Sequence, residues 1–115
     1  MFYTFAQNNS GGCFDVDDKV THFVIIEADN ANLANELAES IGIYFDGVYD
    51  AVDCPCCGDR WHTVWGRGTD VPLIYGIEPY EYKERLLAEN EVYCRVFYQD
   101  GRIAEYKKQD NHHEK

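Results

Sequence analysis

Val20 to Gly42 reads VTHFVIIEADNANLANELAESIG, and this stretch decides the fold. Its first part, Val20 to Ala28, is β-branched and nearly continuous in apolar character. Such a run reads as a strand deep within a sheet rather than at its edge. His22 within it reads as a packed strand residue. Asp29 or Asn30 is then placed to cap a helix through Ile41. Leu33, Leu37 and Ile41 recur at helical spacing with Ala34 and Ala38 beside them, one apolar stripe to lay on a sheet. Glu36 and Glu39 fall on the solvent side. Gly42 stands where a left-handed glycine stops a helix.

On the N-terminal side, Phe2-Tyr3-Thr4-Phe5 predicts an aromatic strand. Gln7-Asn8-Asn9-Ser10-Gly11-Gly12 follows as a polar loop. Asn and Gly tolerate positive φ, Ser and Asn bond back to the chain, and paired glycines let a ligand approach the backbone. On the C-terminal side, Ile43-Tyr44-Phe45 predicts a short strand. Leu73-Ile74-Tyr75 predicts another, and Pro79 opens a second helix to Asn90. Glu91 to Tyr98 predicts a strand, Asp100-Gly101 a type I′ turn, and Arg102 to Lys107 the returning strand. These elements predict an α+β fold, a mostly antiparallel sheet with two helices. Residues 1–108 form one domain and 109–115 a polar tail expected to fray.

Between these elements lies an irregular stretch from Gly42 to Trp65. It holds Cys54, Cys56 and Cys57, both tryptophans, and the Arg60-Trp61 pair. A long irregular segment rich in aromatics reads as functional rather than disordered. Cys54 and Cys57 look like half of a zinc ribbon, but a structural zinc site needs four ligands and the second half is missing. Thiol redox chemistry is disfavoured, since Asp50, Asp53 and Asp59 oppose thiolate formation and no helix pattern follows Cys57. The favoured reading is a structural turn, without metal, that presents Arg60 and Trp61 to a planar anionic ligand. Trp65 reads as a core aromatic.

Composition narrows the function. The chain has 115 residues and a formal net charge of −11, which argues against long nucleic acid as a partner. It carries nine tyrosines, a residue suited to interfaces and ligand sites. Five cysteines, three crowded together, make a poor disulfide framework and suggest a reducing, cytosolic setting. The sequence shows no leader and no apolar run long enough for a membrane span. It also lacks the dinucleotide, phosphate-loop, nucleophile-elbow and zinc-protease motifs. No cofactor and no catalytic residue is expected, and a small-molecule binder fits better than an enzyme.

The segments FYTFAQNNSGG, VIIEAD, GIYFDGV and DCPCCGDRW, with the closing Tyr98 to Arg102, resemble a family of small phage and prophage proteins. Part of that family is similar to the anti-Thoeris sponge proteins. The resemblance implies binding of a cyclic ADP-ribose isomer made by bacterial TIR-domain enzymes, held intact, in the host bacterial cytoplasm. Some members also take up cyclic oligonucleotide signals. It further implies a homo-oligomer with pockets between subunits. It carries over Arg60 in CGDRW and Arg102 in DGR. With the residues read above, the expected ligand-binding set is Asn8, Asn9, Ser10, Arg60, Trp61, Tyr98, Asp100 and Arg102. The competing readings are an acidic inhibitor that occludes a host protein and a small zinc-stabilised regulatory domain.

Overall fold

A computed structural model describes residues 1–8, 19–50, 58–82 and 92–107. Four strands form one sheet in the order β1-β2-β3-β4, namely Phe2–Ala6, Phe23–Glu27, Val92–Phe97 and Ile103–Lys107. The β1–β2 and β3–β4 pairs are antiparallel, and β2–β3 is parallel. The sheet is therefore mixed, which corrects the mostly antiparallel expectation. Periodicity reports which face a residue uses, not the direction of the neighbouring strand. The burial of β2 and β3 suits the parallel seam, because parallel strands occur where both faces are covered.

The expectation of two helices is also corrected. Among the described residues there is one α-helix, α1, Ala31–Ser40. Asn30 caps it, its Oδ1 accepting from the Leu33 N–H at 2.8 Å. At the other end Gly42 has φ +112. The Gly42 N–H donates to Glu39 and the Ile43 N–H to Ala38, a Schellman close. The face against the sheet is Ala34 and Ala38, both fully buried, while Leu37 is 38% exposed. The stripe is thus rotated from the Leu33–Leu37–Ile41 line, because alanines let the helix backbone lie close to β2.

Where the second helix was expected, Pro79–Glu81 make only a 3-10 turn, and Tyr82 is extended. An α-helix would need the Pro79 carbonyl for the N–H of residue 83. Here that carbonyl accepts from the Tyr82 N–H at 3.2 Å and from the buried Tyr93 hydroxyl at 2.6 Å. Residues 83–90 of the expected helix lie outside the described residues. So do Asn9, Ser10, the Cys54–Cys57 turn, and the tail with its His112-His113 pair.

Two cores flank the sheet. Tyr3, Phe5, Val24 and Ile26 meet α1, Ile43 and Trp61 on one face. Phe2, Phe23, Ile25 and Val96 meet Ile74 on the other. Ile43-Tyr44-Phe45 is not a strand, and Leu73-Ile74-Tyr75 contributes a single bridge, Ile74 to Ile77. The outer edge of β1 is tied to Thr69 by two backbone hydrogen bonds with Phe2, of 2.7 and 2.9 Å. The β3–β4 connection is not the expected type I′ turn. The Gly101 N–H donates to Tyr98 O and the Tyr98 N–H to Arg102 O, and only Gly101 has positive φ. That is the three-residue loop with a glycine bulge.

Candidate ligand site

Beyond Ala6 the chain of β1 carries its alternation one step further, so Gln7 follows Tyr3 and Phe5 and is buried. A buried amide must find partners. The Gln7 backbone N–H donates to His22 O at 2.9 Å, its Nε2 donates to Thr21 O at 3.2 Å, and its Oε1 accepts from Arg60 Nη1 at 2.8 Å. This last contact orients the guanidinium.

Asn8 locks the same region from the other side. Its backbone N–H donates to Arg60 O at 2.8 Å and its Nδ2 donates to Asp59 O at 3.0 Å. Asp59 turns its own Oδ1 to the Val48 N–H at 2.8 Å. Two segments that the sequence singled out separately, the QNN loop and the GDRW segment, therefore meet. Thr21 and His22 are buried beside them. Of the four buried polar residues described, Gln7, Thr21 and His22 stand at this one end of the sheet, and only Arg95 stands elsewhere. Buried polar groups are costly unless satisfied, so such a cluster marks a specified site.

Trp61 follows Arg60 but turns inward and is 2% exposed. It is a core residue packed with Phe5 and Ala38, not an exposed aromatic surface. Asn35 of α1 fixes this turn by pairing with both backbone groups of Val64, at 2.9 and 3.0 Å. Trp65 is the exposed one, at 81%. The burial expected for the two tryptophans is exchanged.

Tyr98, Asp100 and Arg102 assemble at the opposite end. The Arg102 guanidinium lies over the Tyr98 ring, 4.4 Å from its centroid, and its Nε donates to Asp100 Oδ2 at 2.8 Å. The Arg102 backbone N–H donates to Asp100 Oδ1. Those bonds hold the Asp100 carboxyl below its usual range, the backbone one most of all. Phe23 pairs with Ala6 at the Arg60 end, while Phe97, next to Tyr98, pairs with Ile26. The length of β2, roughly 13 Å at strand rise, separates the two ends. Arg60 and Arg102 therefore stand at opposite ends of the sheet.

A groove of about 200 Å³ opens beside Tyr98, between α1 and the ends of β2 and β3. Ile26, Leu37, Ile41 and Phe97 line it, with Glu27 and Gln99. Gln99 is held by Glu27 through its backbone N–H and by Asp29 through its Nε2. Glu27 lines the groove and Asp29 holds Gln99 beside it, so phosphate is disfavoured there. Gln7, Thr21 and His22 were not in the expected set. A polar residue at an inward strand position was the signal that could have found Gln7.

Among the described residues no cluster of His, Cys, Asp or Glu is arranged to hold a metal ion, and no helix is long and apolar enough to cross a membrane. No curated protein and no solved structure matches the chain. The family described as a domain of unknown function, DUF7296, matches residues 1–114. With its mixed four-stranded sheet and single described helix, the chain belongs to the DUF7296 family.

Proposed function

We propose that this protein is a non-catalytic binder that takes up a cyclic ADP-ribose isomer at the Arg60 end of the sheet and holds it intact. In that role it is a phage anti-defence protein acting in the host bacterial cytoplasm, where it withdraws the Thoeris-type signal before an effector responds. The observation that carries the reading is the fixed position of Arg60. Gln7 orients its guanidinium, and Asn8 donates to the carbonyls on both sides of Arg60, those of Asp59 and of Arg60 itself. An oriented guanidinium suits the pyrophosphate of such a ligand, with forked donors matched to phosphate oxygens.

Calorimetric titration with cyclic ADP-ribose isomers tests this, followed by heat denaturation and mass spectrometry of the released ligand. Saturable binding with release of the intact nucleotide supports a sequestering protein. Release of a cleaved product would make the chain an enzyme. Absence of binding to every isomer would remove the nucleotide reading altogether.

A further inference from the structure

The two outer edges of the sheet differ. β1 is bridged at Phe2 by Thr69, whereas β4 has no strand on its outer side among the described residues. The Tyr98 N–H donates to Arg102 O, so Arg102 turns its carbonyl toward the β3 chain. Antiparallel pairing alternates from there. Ala104 and Tyr106 therefore direct their backbone groups to β3, and Ile103, Glu105 and Lys107 direct theirs outward. All three outward residues are exposed, Ile103 at 56%. Tyr106 packs instead against the second core, on the other face.

An open edge invites another strand, and proteins commonly guard it with charge. A guard of one sign repels a second copy. Here the sign changes within two residues, from Glu105 to Lys107. Consider β4 paired antiparallel with itself about a two-fold axis. An axis at Ile103, Glu105 or Lys107 sets that residue against its own copy, and an axis at Ala104 sets Ile103 against Glu105. Only an axis at Tyr106 sets Glu105 against Lys107, and it does so twice. Facing opposite charges favour that register, and facing like charges oppose the axes at Glu105 and Lys107. Arg95 Nε holds Glu105 Oε2 at 2.8 Å and so fixes the carboxylate on the strand. The net charge of −11 is not concentrated here. Between Glu91 and Asp110 inclusive, the acids Glu91, Asp100, Glu105 and Asp110 are matched by Arg95, Arg102, Lys107 and Lys108.

We propose that β4 is a self-association edge, at which two copies of this chain pair antiparallel with the two-fold axis at Tyr106. Glu105 of each copy exchanges backbone hydrogen bonds with Lys107 of the other, and the two sheets become one. The contact is isologous and consumes the β4 edge of both copies, so assembly closes at two. It does not depend on the nucleotide site.

Sedimentation equilibrium of the full chain over a dilution series tests this. A reversible monomer–dimer equilibrium without larger species is expected. Lys107→Glu should weaken the dimer about tenfold, because it sets acid against acid on both sides of the axis. Lys107→Pro should abolish it by removing an outward N–H, a change that the fold of an edge strand tolerates. Arg67→Glu, the same charge change on the β1 side of the sheet, should leave the dimer unchanged. Hydrogen exchange should show the Glu105 and Lys107 amides gaining protection as the dimer forms. The proposal is overturned by a monomer at every concentration or by an undiminished dimer in either Lys107 variant. It is equally overturned by an equal loss in Arg67→Glu, or by a dimer in which those two amides exchange as they do in the monomer.

Discussion

Arg60 Nη1 donates to Gln7 Oε1 at 2.8 Å across 53 positions of sequence, and this bond places the guanidinium at the end of the sheet opposite Arg102. The two arginines expected at the ligand therefore make separable predictions. Arg60→Ala removes a charge-assisted contact of roughly 2–5 kcal/mol and should weaken nucleotide affinity about thirtyfold or more. Arg102→Ala removes an exposed, solvent-screened pair with Asp100 and should leave binding unchanged. Calorimetry on both variants reads the difference. Loss of binding in both would mean that the pocket takes one end from each of two copies, and sedimentation would then have to show an oligomer.

Gly68 has φ +76, and a Cβ there would lie 2.8 Å from the Phe2 carbonyl oxygen and 2.9 Å from the Tyr3 ring. Gly68→Ala should destabilise the fold by about 2 kcal/mol or more, through backbone strain and the clash at the β1 edge. Gly66→Ala is the control, since its φ of +83 carries the strain but nothing lies within 4 Å. Thermal melts of both variants should show the larger fall for Gly68→Ala. Equal falls would mean that the Phe2–Thr69 edge yields to the methyl group.

Burial pushes the Cys94 thiol up to about 12, from an ordinary 9.0. The folded chain holds this proton more tightly than the unfolded chain does. The resulting stability is complete below about pH 9 and is lost as pH rises toward 12. Tyr93 and Tyr106, also pushed up by burial, act in the same direction at higher pH. Urea unfolding between pH 8 and 11 should therefore show falling stability. The slope should be shallower in Cys94→Ala, whatever that variant's absolute stability. An unchanged slope would assign the alkaline loss to other groups.

The tryptophans give an optical test. Trp65→Phe leaves only the buried Trp61, and its emission should be blue-shifted and resist acrylamide. Trp61→Phe leaves only Trp65, whose emission should be red-shifted and readily quenched. The reverse pattern would contradict the inward turn after Arg60.

Much of the local structure was legible because its causes are local. Asn30 and Gly42 mark the ends of α1 through their own side chain and φ. The central place of β2 follows from its unbroken apolar run. The parallel seam was not legible, since nothing in β2 or β3 states the direction of its neighbour. Nor was the Tyr75-Gly76 turn, because tyrosine is the wrong signal for it. Asp100-Gly101 is the right signal for a hairpin, but the bond from Tyr98 N–H to Arg102 O selects a longer loop. In the candidate site, the QNN loop and the GDRW segment were each visible, whereas their meeting depends on strand pairing. The placement of Arg102 at the far end depends on the same pairing.

The parallel seam has a kinetic consequence. β3 and β4 are neighbours in sequence and close a short loop, so their hairpin can form early. β2 and β3 can join only after the whole chain between Glu27 and Val92 has been brought back, which carries a larger loop-closure cost. Folding should therefore be limited by docking of the hairpin onto β2. Substitutions that weaken the facing pair Ile25 and Val96 should therefore slow folding, because that contact forms in the limiting step.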